Sequence, residues 1–294
     1  MTGGKKDLVL KAATGLEGGL VASGSTCGVV SGACLGLAQH HRRFLREGGP
    51  AAERLVMDRA AAYARWFEES YGTTLCRQRV GCDFHTLSGQ ARYFLGPDRI
   101  ARCARHIHGA MGWLWEETFQ RPLPEAPSRS GICPKPFHCA RQVLARVREK
   151  TGKGYPLLER LALVYDGGAG YSGGACGALV GAVLAVNLVV GLDIRQVPYL
   201  KTFAPFLRGH KNLLTDASGP PPESFAAGKA ILSAFRDRAG ATECVAITGR
   251  RFSGWDDFQE HAASSSSCRD LTDLAADLAC GILGQWAEAP GRAG

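Results

Sequence analysis

Ala13–Leu35 reads ATGLEGGLVASGSTCGVVSGACL, and Ala162–Leu184 reads ALVYDGGAGYSGGACGALVGAVL. Laid over each other at an offset of 149 without a gap, the two stretches agree at ten of 23 positions. The agreements include Gly18-Gly19 with Gly167-Gly168, Ser23-Gly24 with Ser172-Gly173, Cys27-Gly28 with Cys176-Gly177 and Gly32-Ala33 with Gly181-Ala182, while Glu17 faces Asp166. A repeat of this length marks a duplicated structural unit.

The correspondence runs on with shifted offsets. Phe67–Cys76, FEESYGTTLC, parallels Phe235–Cys244, FRDRAGATEC, and Asp-Phe follows in each half at Asp83-Phe84 and Asp257-Phe258. A helix-like segment then begins near Cys103 in one half and near Cys268 in the other. The Pro-rich RPLPEAPSRSGICPKP, Arg121 to Pro136, joins the halves, and SGPPP, Ser218 to Pro222, interrupts the second. The expected organisation is a first repeat over 1–122, a linker over 123–136 and a complete second repeat over 137–294. The first repeat has no counterpart to Phe137–Lys150 and so lacks the opening helix of the unit.

Apolar residues at three and four spacing predict helices over Leu35–Arg46, Ala51–Tyr71, Asp98–Phe119, Pro136–Lys150, Tyr155–Tyr165, Phe225–Arg238 and Ser267–Trp286. Few windows alternate with period two. The expected fold is therefore all-α, a helical bundle of two similar halves. Gly24, Gly28, Gly32 and Gly36 recur every four residues, as do Gly173, Gly177, Gly181 and Ala185. Such spacing lays a smooth ridge along one helix face. Each helical glycine costs up to about 1 kcal/mol relative to alanine, so the ridges predict close helix packing. The expectation is that the two ridged helices pack on each other about a pseudo-twofold axis, or on a second copy as a homodimer. Gly173–Leu192 is uncharged and long enough to cross a bilayer. The slightly negative mean hydropathy of the chain favours a helix surrounded by protein instead.

The chain has 294 residues and eleven cysteines. A core of this size does not need disulfide staples, an odd count excludes complete internal pairing, and no signal peptide precedes Asp7. A reducing, cytoplasmic setting is expected, where clustered cysteines serve as metal ligands or redox groups. Cys139, Cys176, Cys244 and Cys268 are the candidates in the second half. Pro136 at a first helical position would leave Cys139 in the first turn, Gly173-Gly174 precede Cys176, and Ser267 with Asp270 would box Cys268 at a helix start. Unsatisfied N–H groups and the positive helix end stabilise a thiolate, so lowered thiol pKa values are expected there.

CGVVSG at Cys27–Gly32 and CGALVG at Cys176–Gly181 resemble the Cys-Gly-Ala-x-x-Gly box of the redox-active C_GCAxxG_C_C proteins. The second half resembles the whole pattern, with Cys139 leading, Cys176 in the box, Cys244 third and Cys268 last. In the first half Cys27, Cys76 and Cys103 take the last three places, the leading cysteine is missing, and Val29 stands where the box has alanine. A fourth thiolate there would have to come from Cys34, Cys82 or Cys133. The roles of Cys34, Cys82, Cys133 and Cys280 are unassigned. The resemblance implies a redox role, and a related domain occurs in a split-Soret type of multidomain cytochrome with an iron–sulfur centre. Four thiolates suit an iron–sulfur cluster or zinc. The reading is thus an electron-transfer protein holding an iron–sulfur cluster on Cys139, Cys176, Cys244 and Cys268 and serving an unidentified redox partner. A metal-free thiol–disulfide protein and a zinc-stabilised helical scaffold are the alternatives.

The charge adds little. Lys and Arg outnumber Asp and Glu by 18 to 12 before Phe137 and by 17 to 15 after it, and the basic residues alternate with Glu47, Glu53 and Asp58 as on solvated helix faces. No basic run interleaved with aromatics points to nucleic acid. There is no C-x-x-C-H haem string, phosphate-binding loop, G-x-S-x-G or H-E-x-x-H. Among the histidines, His40, His41, His106 and His108 read as surface or core residues. His138, beside Cys139, could tune or replace a thiolate ligand. Glu17 and Asp166 read as helix caps.

Overall fold

The computed structural model describes residues 8–121, 123, 135–194, 199–214 and 224–288. Most of the linker, with Cys133, and the SGPPP stretch lie outside the described residues. The first half comprises α1 (Leu8–Ala13), α2 (Gly28–His40), α3 (Arg42–Glu47), α4 (Gly49–Tyr71), α5 (Cys76–Val80), α6 (Leu87–Phe94) and α7 (Pro97–Trp115), which runs on into a wider turn over Glu116–Gln120. The second comprises α8 (Cys139–Thr151), α9 (Pro156–Leu161), α10 (Gly177–Val190), α11 (Tyr199–Leu214), α12 (Ser224–Ala239), α13 (Cys244–Thr248), α14 (Trp255–Ser264) and α15 (Ser266–Glu288). No strand occurs among the described residues, so the fold is all-α. The repeat is visible in the elements, with α2, α4, α5 and α7 answering to α10, α12, α13 and α15.

The centre is α10. Its residues from Gly177 to Leu188 are all buried, which is what a helix apolar on every side requires. At about 1.5 Å per residue its 14 residues fall short of the bilayer's hydrocarbon core of about 30 Å. Among the described residues no helix is long and apolar enough to cross a membrane. Helices α8, α15, α1 and α12 surround α10 instead.

This arrangement corrects the glycine reading in two ways. Gly24 and Gly173 lie before the helices with φ of 79° and 78°, so each ridge begins one turn later, at Gly28 and Gly177. The ridged helices are also not each other's principal neighbours. The ridge of α10 faces α8, where a Cβ on Gly181 would come 2.9 Å from the Ala140 Cα and carbonyl oxygen. Gly32 and Gly36 of α2 have nothing within 4 Å of such a Cβ. Among the described residues the first half has no element that covers α2 as α8 covers α10.

The halves share one core. The first half's α1 packs on α10, and the second half's α9 packs on α2 and α3. Ion pairs also cross, Arg54 with Asp256 at 2.6 Å, Arg77 with Glu243 at 2.9 Å and Arg251 with Glu68 at 2.8 Å. They are largely exposed and worth little individually.

Candidate functional site

Before each box cysteine the chain makes a left-handed turn. Gly18, Gly19, Leu20, Val21 and Ala22 have φ from 50° to 82°, and Gly167, Gly168, Ala169, Gly170 and Tyr171 have φ from 59° to 90°. For a residue with a side chain this conformation costs roughly 1–2 kcal/mol, and for β-branched Val21 it is a true outlier. The turn is held from within by Gly24 N–H to the Gly18 carbonyl at 3.0 Å and Gly173 N–H to the Gly167 carbonyl at 2.8 Å. Strain kept in both halves at the same place is strain that the surrounding structure enforces.

What the turn achieves is a lock between two cysteine segments. Cys176 N–H donates to the Thr242 carbonyl at 2.8 Å, and Cys244 N–H donates to the Gly174 carbonyl at 2.6 Å, forming the antiparallel bridge Ala175↔Glu243. In the first half Cys27 N–H donates to the Thr74 carbonyl and Cys76 N–H to the Ser25 carbonyl, both at 2.8 Å, around the bridge Thr26↔Leu75. The second and third cysteines of each set are therefore brought together by backbone alone.

All four second-half cysteines stand at helix starts. Cys139 is the first residue of α8, Cys176 caps α10, Cys244 opens α13 and Cys268 lies in the first turn of α15. The details differ from the sequence expectation. Pro136 stays outside the helix, and the cap of α15 is Ser265, whose Oγ accepts the Cys268 N–H at 3.1 Å, rather than a Ser267–Asp270 box.

Cys139, Cys176 and Cys244 are buried and Cys268 is half-buried; none is in a disulfide. The charges of Cys176, Cys268 and Cys244 all bear on Cys139, and those of Cys176 and Cys268 on Cys244. The fold thus draws the four thiols from separate helices into one electrostatic neighbourhood.

For Cys139 and Cys176 the expected drop in thiol pKa is overturned. Burial pushes Cys139 and Cys244 well above the ordinary thiol range, with nearby acidic groups adding to it. Burial lifts Cys176 to about 11, against the N–H groups of Leu179 and Ala178 that favour its thiolate. Loss of water and mutual repulsion outweigh the helix ends. Among the described residues no group of three or more His, Cys, Asp and Glu side chains stands in metal-holding geometry.

A charged network supports Cys139. Asp166 Oδ1 accepts the Cys139 N–H at 3.0 Å, capping α8 from the turn that precedes α10, and Asp166 Oδ2 meets His138 Nδ1 at 2.6 Å. His138 Nε2 reaches Glu53 Oε2 at 3.2 Å, and Glu53 Oε1 pairs with Arg141 at 2.7 Å. His138 and Asp166 are fully buried. Burial alone would lower His138, but the Asp166 charge and the bonds to both carboxylates raise it. Both ring nitrogens are occupied, so His138 orients the start of α8 and is not placed to replace a thiolate. Asp166 is a cap, as the sequence suggested. Glu53, read as a solvated charge, is 8% exposed and crosses from the other half to complete the network.

In the first half Cys27 and Cys76 are buried, and Cys103 is half-buried with Tyr93 Oη donating to its sulfur at 3.5 Å. Their charges bear on one another, and burial raises both Cys27 and Cys76. Cys103 lies two turns into α7, which begins at Pro97, and so does not open a helix as Cys268 does. Of the suggested fourth thiols, Cys82 is buried and its charge bears on Cys76, whereas Cys34 is sealed in the core with its pKa lifted to about 12 by burial. Cys280 is half-buried and is influenced by Lys150 and Asp277. Glu17 answers to Asp166 but points to His210 of α11 at 3.1 Å and is half-exposed. His106 is buried against Arg79, and burial lowers it to about 4.

A model of the family described as "Putative redox-active protein (C_GCAxxG_C_C)" matches residues 1–117 and again 137–282. No curated protein and no solved structure matches the chain.

Proposed function

As the chain belongs to the C_GCAxxG_C_C family of redox-active proteins, we propose that its second half is a thiolate-ligated metal centre working in electron transfer. Cys139, Cys176, Cys244 and Cys268 would hold an iron–sulfur cluster. The observation that carries this reading is the meeting of four cysteines at four helix starts, each close enough for its charge to be felt by others of the set.

The donor set fits such a group. Four thiolates are the usual ligands of a two-iron or four-iron cluster, and the N–H groups of Leu179 and Ala178 at the start of α10 favour the Cys176 thiolate. Without metal, Cys139, Cys176 and Cys244 hold their protons because they are buried; a cation among them reverses that balance, and binding releases protons. A bound cluster would supply a one-electron couple. The chain's own residues bind it, keep water away and fix Cys139 through Asp166 and His138.

The metal-free thiol–disulfide reading has one observation in its favour, the closeness of the four thiols without a preformed metal-holding geometry. Against it, a thiol lifted to about 11 is a slow nucleophile at neutral pH, because attack requires the thiolate. A zinc scaffold would use the same ligands.

Protein prepared without oxygen separates these readings. The cluster reading expects a brown sample with iron, acid-labile sulfide and visible absorption that variants of the four cysteines abolish. Zinc without sulfide supports the scaffold, and a metal-free sample with a reversible disulfide supports thiol exchange. Either result overturns the proposal.

A further inference from the structure

The thiols of the two halves face opposite charges. In the second half Asp166 bears on Cys139, Cys176 and Cys244 and opposes their thiolates. In the first half the guanidinium of Arg79 reaches Cys27 and Cys103 and favours their thiolates. Arg79 follows Cys76 by three residues, where the second half has Ile247 after Cys244, and His106 follows Cys103 by three, where it has Leu271 after Cys268. A cation and an imidazole thus stand in place of two apolar side chains.

The cation is fixed where it acts. Arg79 donates to the Tyr71 carbonyl and, at 2.8 Å, to His106 Nε2. A guanidinium only donates, so His106 accepts there and is neutral, in line with the lowering of its pKa to about 4 by burial and by Arg79, Arg102 and Arg105. The positive charge therefore stays on Arg79. Tyr93 Oη donates to Cys103 Sγ at 3.5 Å. A hydrogen bond to sulfur and a nearby cation are the surroundings of a nucleophilic thiol, and Cys103 is the half-buried member of the three.

The bridge decides which thiol can join it. Cys27 and Cys76 flank Thr26↔Leu75, with their N–H groups bonded to the Thr74 and Ser25 carbonyls. Their side chains share a face as diagonal neighbours, with Cα atoms about 7–8 Å apart. A disulfide spans about 4.4–6.8 Å, so these two do not pair with each other. Helix α7 packs on α2, whose cap is Cys27, and of the charges that bear on Cys27 that of Cys103 is the largest. Glu17 opposes a thiolate at Cys76.

We propose that the first half is a thiol–disulfide exchange site, in which Cys103 attacks a low-molecular-weight disulfide and Cys27 resolves the product. The Cys103 thiolate bonds to one sulfur of the small disulfide, and the other sulfur leaves as a thiolate. Cys27, its proton passing to solvent, then attacks the Cys103 sulfur, and the second small thiolate leaves. Two protein thiols become one disulfide, and the small disulfide is reduced to two thiols. The site does not depend on what the second-half cysteines hold.

Treating the whole protein with glutathione disulfide in the absence of oxygen, then alkylating it and mapping its peptides by mass, tests the proposal. The expected product is a disulfide between Cys27 and Cys103 that dithiothreitol reverses. Cys27→Ser should stop at a mixed disulfide on Cys103. Arg79→Ile, whose folding circular dichroism checks, should slow the first step about threefold or more. A disulfide between any other pair ahead of this one, a mixed disulfide on Cys103 that lasts while Cys27 is present, no reaction at Cys103, or an unchanged rate in Arg79→Ile would overturn the proposal. Each outcome is read at Cys27 and Cys103, apart from the iron and sulfide that decide the second-half reading.

Discussion

The two halves carry the same box, the same left-handed turn and the same bridge between cysteine segments, and they differ in what stands over them. In the second half α8 covers the glycine ridge of α10, brings Cys139 to the other three thiols and is tied down by Asp166, His138 and Glu53. In the first half Gly32 and Gly36 of α2 have open space beside them, and among the described residues no leading cysteine joins Cys27, Cys76 and Cys103. Among the described residues the backbone geometry recurs in both halves, whereas a leading cysteine beside the other three is present only in the second.

The comparison breaks first at the buried charges. His138→Ala leaves Asp166 and Glu53 without their shared partner, and removing one member of a buried pair costs about 3–5 kcal/mol. Glu17→Gln, at the matching but half-exposed pair with His210, should cost under about 1 kcal/mol. Denaturant melts of both variants measure the contrast, and equal losses would show that the network is not what sets the halves apart.

Next is pH. Cys176 in the metal-free protein holds its proton up to about 11, while in the unfolded chain it loses it near the ordinary value of 9.0. A folded-state pKa raised for an acid means that the folded protein binds more protons in that window, so stability falls as pH rises from about 9 to about 11. The slope should be roughly 1 kcal/mol per pH unit from this thiol. Cys176→Ala should lessen the slope by that amount and leave the part due to the other raised thiols, as urea melts across the range would show.

The same substitution at matching glycines should have opposite signs. Gly181→Ala drives a Cβ to 2.9 Å from the Ala140 backbone and should cost about 1–3 kcal/mol. Gly32→Ala meets nothing and should stabilise by about 0.5–1 kcal/mol. The smallest effect is expected in the left-handed turn. Ala169 at φ 66° carries a strain of roughly 1 kcal/mol, and Ala169→Gly should recover part of it after losing a buried methyl.

The all-α class and the duplication were legible because each is written as a pattern: apolar spacing, and ten identities over 23 positions around a glycine box. The left-handed turn was not, since Leu20, Val21 and Tyr171 are residues that avoid φ above zero. Glu53 carried no signal, because a glutamate on a helix full of charges looks solvated until another half packs on it. The thiol pKa reading failed for a related reason. Helix position is visible in sequence, but the burial that outweighs it belongs to the whole core.

The central claim is that the complete second-half set, and not the first, holds the redox centre. Iron and labile sulfide in protein prepared without oxygen, compared among the wild type, Cys176→Ser and Cys27→Ser, test it most directly. The account predicts both elements in the wild type and in Cys27→Ser and neither in Cys176→Ser. Absence from the wild type, or loss in Cys27→Ser as complete as in Cys176→Ser, would contradict it.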